Sequence, residues 1–322
     1  MSTAPAIQFY DYHPKPSDFF AEVIDGLSKQ QKSIPPKFFY DEKGSNIFEA
    51  ICETPEYYPT RTEQTILQEN AEDIANIIGH HCILVEPGSG NCEKVRLLLD
   101  ALRPRAYVPM DISKDHLKKA AMNLSAEYPW LDVLAACVDF TQPLDLSFCP
   151  TEMQKIAFFP GSSIGNFEPA DAVEFMSHVV DAVGQGGGML IGVDLKKDKA
   201  ILDAAYNDAA GITAAFNLNL LERINHELDA NFQIENFEHH AFYNQDKGRI
   251  EMHLRSQQKQ RVKIEDTTIN LEEGETIHTE NSYKYTIREF QAMADRAGFM
   301  PVYVWTDPDE LFSVHYFEVP AC

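Results

Sequence analysis

The sequence predicts an α/β fold in which a mostly parallel sheet is wrapped by helices and closed by an antiparallel hairpin. Three observations predict it. From about residue 63 to 197 helical and strand patterns alternate, the signature of a parallel sheet built from αβ units. The strand-like runs of that stretch end on acidic or glycine-bearing turns. The chain then finishes with a helix and two strand-like runs joined by Thr306-Asp307-Pro308-Asp309.

Each element has its own warrant. Residues 61–78 carry Ile66, Leu67, Ile74, Ile77 and Ile78 at helical spacing. Cys82-Ile83-Leu84-Val85 is a short buried strand that runs into Glu86-Pro87-Gly88-Ser89-Gly90, and Val95, Leu97, Leu98, Leu99 and Leu102 mark the helix after it. Residues 106–110 form a strand ending at Asp111, and residues 114–128 a helix. Strands follow at 133–138, ending at Asp139-Phe140, and at 156–159, ending at Pro160-Gly161-Ser162-Ser163. A helix at 172–183 leads to a fifth strand, 188–193, ending at Asp194. Residues 199–232 read as one helix or two, with Gly211 as the break, and 233–286 as strand-rich. Residues 288–297 are helical and Gly298 stops them, before strands at 302–305 and 311–319.

Composition narrows the function. With 27 Lys+Arg against 50 Asp+Glu the formal charge is −23, a poor match for nucleic acid, whose binding draws on cations that neutralise phosphates. No run approaches the ~18 apolar residues of a spanning helix, and the polar, proline-bearing residues 1–20 lack the apolar core of a signal peptide. The six cysteines form no Cys-x-x-Cys pair and read as reduced residues of a cytoplasmic protein. No cluster has zinc spacing, and in the adjacent pairs His80-His81 and His239-His240 neighbouring side chains point apart, so no metal is expected.

The chemistry concentrates at strand ends. A strand feeding Gly88-Ser89-Gly90 lets a ligand approach the backbone closely at the carboxyl edge of the sheet. A dinucleotide loop would need a third glycine where this chain has Glu93, and a carboxylate at a helix start repels a pyrophosphate. A sulfonium ligand suits that acidic setting. Asp111 stands where an acidic side chain can accept hydrogen bonds from both ribose hydroxyls, although a helix N-cap is its other use. Asp139-Phe140 fits an adenine amino group beside an aromatic wall, or equally a turn aspartate and a core ring. Taken together, at successive strand ends, the cofactor reading prevails. Five αβ units closed by an antiparallel hairpin are the order of methyltransferases that use S-adenosylmethionine. Residues 63–197 and 287–322 then form the cofactor domain. Residues 1–62 and the insertion 198–286 form an α+β substrate domain, expected to pack together as a lid.

Several longer blocks resemble a known family. Phe38-Phe39-Tyr40-Asp41-Glu42-Lys43-Gly44-Ser45, Pro55-Glu56-Tyr57-Tyr58-Pro59-Thr60-Arg61-Thr62-Glu63, Glu86-Pro87-Gly88-Ser89-Gly90-Asn91-Cys92-Glu93-Lys94, Phe159-Pro160-Gly161-Ser162-Ser163-Ile164-Gly165-Asn166-Phe167 and Ala204-Ala205-Tyr206-Asn207-Asp208-Ala209 are similar to the histidine Nα-methyltransferases of ergothioneine biosynthesis. The resemblance runs from about residue 15 to the C-terminus. It implies a class I methyltransferase sheet and trimethylation of the α-amine of a free amino acid, giving hercynine when that amino acid is histidine. It also implies a cofactor set of Tyr40, Gly88, Lys94, Asp111, Asp139, Phe140 and Ser162. The substrate set it implies is Tyr57, Asn166, Tyr206, Glu280 and Ser282, with Met252 near the side-chain pocket.

The specificity pair has an independent argument. On a strand, a spacing of two puts Glu280 and Ser282 on one face, where a carboxylate and a hydroxyl can address the two imidazole nitrogens. An exposed strand face with no ligand is the alternative. On this reading Asn166 and Tyr206 hold the substrate carboxylate, Tyr57 closes the pocket, and Tyr40 and Asn166 orient the amine as catalytic residues without a strong general base. Two other functions stay open: a relative that methylates another amino acid such as a tryptophan derivative, and a sensor that binds adenosylmethionine or histidine without turnover. An indole offers one donor and no acceptor, which argues against the first. Small molecules are the expected partners, with no nucleic acid or membrane, and a monomer is expected.

Overall fold

The computed structural model describes residues 7–12 and 18–321. The ends of the polar N-terminal segment and Cys322 lie outside the described residues. In chain order the strands are β1 (Ile7–Asp11), β2 (Lys32–Ser33), β3 (Ile83–Pro87), β4 (Ala106–Asp111), β5 (Asp132–Cys137), β6 (Lys155–Phe159), β7 (Gly188–Asp194), β8 (Phe237–Asn244), β9 (Arg249–Ser256), β10 (Gln260–Ile264), β11 (Thr267–Leu271), β12 (Thr276–Tyr283), β13 (Met300–Thr306) and β14 (Phe312–Glu318). The chain divides into two units. The first holds β1, Thr62–Leu195 and the chain from Tyr285 onward; the second holds the segment ending at Arg61 and Lys196–Lys284.

The first unit is built on an eight-stranded sheet in the order β1-β5-β4-β3-β6-β7-β14-β13. The strands from β1 to β7 in that order pair in parallel, and β14 inserts antiparallel between β7 and β13. Chain order runs outward from β3 through β4 to β5, then returns to β6 on β3's other side. The crevice for a ligand in such a sheet lies at that reversal, beyond the carboxyl ends of β3 and β6. Every residue of β3 and of β7 is buried, as expected of strands covered on both faces. Period-two alternation sorts their side chains into two cores. Leu84, Tyr107, Val133 and Ile156 pack on one face with the leucines of helix Arg96–Leu102, while Val85, Val108, Leu134 and Ala136 pack on the other. The last helix, Ile287–Ala297, begins at a capping box of Thr286 and Glu289 and ends at Gly298, whose φ of 105° a side chain would resist.

The second unit is the α+β part. Its sheet has the order β2-β12-β9-β8, with β10 and β11 as a separate hairpin. Helices Glu42–Cys52, Lys199–Ala205 and Ile212–Glu227 belong to it. Gly211, at φ +72°, separates the last two and settles residues 199–232 as two helices. The parallel pairing of β2 with β12 ties the early segment to the late one.

Two expectations are corrected. Residues 1–62 do not form one piece, because Ile7–Asp11 extends the first unit's sheet in register with Val133–Cys137, where the open edge of β5 offers unpaired N–H and C=O groups. The helix expected over 61–78 is two, Tyr58–Glu69 and Ala71–Ile78, parted at Asn70, whose side chain bonds back to the Ile66 carbonyl. Among the described residues no helix is long and apolar enough to cross a membrane. Among the described residues, Cys52, Cys82, Cys92, Cys137 and Cys149 form no disulfide.

Candidate active site

In the first unit, the turn after β3 is shaped for close approach. Gly88 has φ +69° and is exposed; a Cβ there would meet the Phe140 ring at 3.1 Å, so the ring and the turn leave room only for hydrogen. Phe140 also packs edge-on against Phe159 and Phe175. One Asp111 oxygen accepts the Gly90 amide at 3.2 Å and the other the Ser113 amide at 2.8 Å. Asp111 thereby joins the ends of β3 and β4, and each oxygen keeps a second lone pair. Asp139 spends one oxygen on the amide and hydroxyl of Thr141 and holds its own turn. Ser162, at φ 55°, accepts the Asp194 amide at 2.9 Å, linking the ends of β6 and β7 while its hydrogen stays available. Asn166 sits at the end of the short turn Ser163–Asn166 beyond β6.

Lys94 is anchored by a residue that sequence reasoning missed. Its ammonium donates at 2.6 Å to Glu63, a carboxylate that is 1% exposed, and the other oxygen of Glu63 accepts the Gly161 amide at 2.7 Å. Glu63 thus connects the turns after β3 and β6. A Cβ at Gly161 would come within 2.9 Å of the Lys94 ammonium, and one at Gly192 would collide with the Glu63 carboxylate. An ammonium has three donors, so Lys94 keeps two.

Glu86 lies buried under the same turn and accepts the Tyr107 hydroxyl at 2.5 Å. Burial raises its carboxyl to about 8. The folded chain therefore holds a proton there that the unfolded chain releases near pH 4.5, and stability falls as pH rises from about 4.5 to 8. Glu86→Gln, which stays neutral, is expected to be more stable than wild type at pH 8 and nearly equal at pH 5. Thermal melts at the two pH values test this.

The second unit brings together Tyr40, Tyr57, Tyr206, Met252, Glu280 and Ser282. Tyr40 belongs to this unit and Asn166 to the first. Glu280 pairs across strands with Met252, and Ser282 with Ile250, so the three expected side chains share one face of the sheet. A bulge between His278 and Glu280 turns His278 to the opposite face, where it pairs with His253. The Glu280 carboxylate accepts no hydrogen bond among the described residues, and desolvation raises it to about 7 against the pull of the Lys284 charge. Its accessible surface is intermediate, yet enough protein surrounds the carboxylate for desolvation to outweigh the Lys284 charge. Tyr40 has the same character: 45% of its surface is reachable, yet burial and the Glu280 charge push its hydroxyl pKa far up. Tyr57 is likewise raised by burial and by Tyr206. Edge-on contacts run Tyr40–Phe48–Tyr57–Tyr206, with centroids 5.8, 6.3 and 6.1 Å apart. Phe48, unmarked in the sequence, is the link between the tyrosines.

The sheet also assembles a cluster that spacing in the sequence hid. One ligand atom from each of Glu251, His253 and His278 lies within 4.8 Å of the others. Arg249 already binds Glu251 at 2.8 and 2.9 Å, and the two rings stack at 4.6 Å with 13° between their planes. Ring lone pairs lie in the ring planes and so run side by side instead of converging on a metal. His239 points away from this cluster, its ring between Asn217 and the Tyr206 carbonyl.

A sheet that reverses at β3, with an antiparallel strand inserted beside the last parallel one, defines the class I methyltransferases that use S-adenosylmethionine, and this chain has that fold. A solved S-adenosylmethionine-dependent methyltransferase from Clostridium acetobutylicum matches it with a TM-score of 0.51 at 9% identity, covering 86% of this chain and 99% of that one. Sequence narrows the class: residues 19–319 match the model of the histidine-specific, SAM-dependent methyltransferases, and the chain belongs to that family. It is 42% identical over 293 residues to the histidine N-alpha-methyltransferase of Mycolicibacterium smegmatis, covering 89% of this chain and 90% of that protein. Identity to the protein of the same name from Mycobacterium tuberculosis is 40% over 292 residues, with the same coverage.

Proposed function

We propose that this chain transfers methyl groups from S-adenosylmethionine to the α-amine of free L-histidine, three in succession, giving hercynine. The observation that carries this reading is the desolvated Glu280 carboxylate, which accepts no hydrogen bond among the described residues and shares a sheet face with Ser282. A carboxylate so placed is costly until a donor meets it, and an imidazole N–H is such a donor.

S-adenosylmethionine supplies an activated methyl group on a sulfonium. Asp111 would take the ribose hydroxyls, and Asp139 with Phe140 the adenine. Lys94 would take the methionyl carboxylate, with Gly88 and Ser162 lining the approach. The amine lone pair attacks the methyl carbon opposite sulfur; the C–S bond breaks and its electrons stay on sulfur. The α-ammonium loses one proton before the first transfer, and the mono- and dimethylated products lose one each before the second and third; solvent takes each. Positioning therefore does most of the catalysis. Tyr57 and Asn166 would hold the substrate carboxylate. The Tyr206 hydroxyl is bonded to Ser282 at 2.9 Å, so we move Tyr206 from the carboxylate to the ring-binding group. Tyr40, held protonated, would orient the amine, and the aromatic row would favour the quaternary product by roughly 0.5–2 kcal/mol. The chain would act in the cytoplasm as a monomer, with small molecules as its partners.

Mass spectrometry tests the reading after incubation with S-adenosylmethionine and an equimolar mixture of free amino acids. Histidine alone should gain up to three methyl groups. Methylation of another amino acid would remove the argument from Glu280 and Ser282, and binding without methylation would make the chain a sensor. Tyr40→Phe is expected to slow each transfer about tenfold or more, read as accumulated mono- and dimethylhistidine. Unchanged turnover at every step would leave Tyr40 no catalytic part.

A further inference from the structure

Lys284 continues the alternation of Glu280 and Ser282 and is 1% exposed. Its ammonium lies 2.8 Å from the Ser282 hydroxyl and 3.1 Å from the Tyr206 hydroxyl, 5.1 Å from the centre of the Tyr206 ring. With the Tyr206–Ser282 bond at 2.9 Å, three polar atoms close a triangle. An ammonium can only donate, so Lys284 donates to both oxygens. Of the two hydroxyls, the phenol is the more acidic and holds its lone pairs partly in the ring, so Tyr206 donates to Ser282. Both lone pairs of Ser282 are then filled, and its one hydrogen must point out of the triangle.

We propose that Lys284 is a positioning residue that fixes Ser282 as a hydrogen-bond donor, so that the pocket accepts a neutral imidazole in one tautomer. One ring nitrogen donates to Glu280 and the other accepts from Ser282. An added proton is refused wherever it lands. On the ring it makes a second N–H aimed at Ser282; on Glu280 it forces the ring to turn its N–H toward Ser282. Either case needs a lone pair that Lys284 and Tyr206 already occupy. The ionisable groups coupled to Glu280 are Lys284, Tyr40 and Tyr57, and Tyr206 and Cys52 act in turn on those two tyrosines. Tyr40 and Tyr57 stay protonated because burial raises them; burial also raises the Glu280 carboxyl to about 7, with the Lys284 charge pulling the other way.

This inference rests on histidine being the substrate, and its test separates the two. Ring-¹⁵N-labelled L-histidine is bound to the wild-type chain with S-adenosylhomocysteine at pH 6, where free imidazole is mostly protonated. One pyrrole-like and one pyridine-like nitrogen are expected. Two pyrrole-like nitrogens overturn the inference. Failure of histidine to bind while the adenosyl ligand binds would instead remove the substrate reading. In kinetics, wild-type KM for histidine should rise at least about tenfold from pH 7.5 to 5.5. Lys284→Met frees a lone pair on Ser282, so its rise should shrink below about threefold, while Lys284→Arg, again only a donor, should keep the wild-type slope. A Lys284→Met profile moved to higher pH with its slope intact would make Lys284 merely a charge beside Glu280, against the proposal. If Lys284→Met does not fold, the nitrogen spectrum of the wild type decides alone.

Discussion

Glu280→Ala is expected to raise the KM for histidine by about 10²–10⁴-fold while leaving S-adenosylmethionine affinity within about twofold. The carboxylate is desolvated and accepts no bond among the described residues, so it costs the ligand-free chain something that a donor repays. Alanine removes that cost from the free state and removes the acceptor from the bound state. A ring N–H would then be buried without a partner, which sites built on hydrogen bonding reject strongly. Gly88, Asp111, Asp139 and Phe140, proposed above to hold the adenosyl ligand, belong to the other unit, which is why the second ligand should be spared. Calorimetric titration of S-adenosylmethionine beside steady-state kinetics for histidine separates the two. Equal losses for both ligands would mean that β12 is not the specificity strand.

Glu63→Ala should be strongly damaging to the first unit, costing about 3–5 kcal/mol of stability. The carboxylate is 1% exposed and holds both the Lys94 ammonium and the Gly161 amide. Removing it leaves a partly buried cation and a turn amide without their acceptor. Urea unfolding measures the loss. Because much of it is the stranded charge, Glu63→Ala combined with Lys94→Met should be more stable than Glu63→Ala alone. A double variant less stable than the single one would mean that Glu63 acts by packing, not by pairing. Affinity for S-adenosylmethionine should fall in both, since Lys94 loses either its anchor or its charge.

The strand ends were legible because glycine and acidic residues interrupt apolar runs; Gly88, Asp111 and Asp139 stand out for that reason alone. Glu280 and Ser282 were legible through a period of two, and the same period extends to Lys284, which could have been read and was not. Glu63 was hidden because a carboxylate in helix Tyr58–Glu69 looks like any solvated helix residue until the turn at Gly161 folds onto it. The grouping of Glu251, His253 and His278 depends on the pairing of β9 with β12, and no spacing along the chain announces it. β1 escaped for a similar reason. Five residues gain their meaning only from a partner strand more than a hundred positions away.

The second unit's discontinuity has a consequence for synthesis. Lys32 and Ser33 pair with Ile277 and His278, and Gln31 bonds to Thr276, 245 positions later. On a ribosome adding about 5–20 residues per second, the early segment waits on the order of tens of seconds for its partner strand. For most of that interval Phe39, buried in the finished protein, lacks the Phe216 ring it stacks on. The nascent chain is thus most exposed to aggregation between the emergence of its first sixty or so residues and the arrival of β12. A transient holdase would matter most for this stretch, and a circular permutant that begins near residue 196 would shorten the wait.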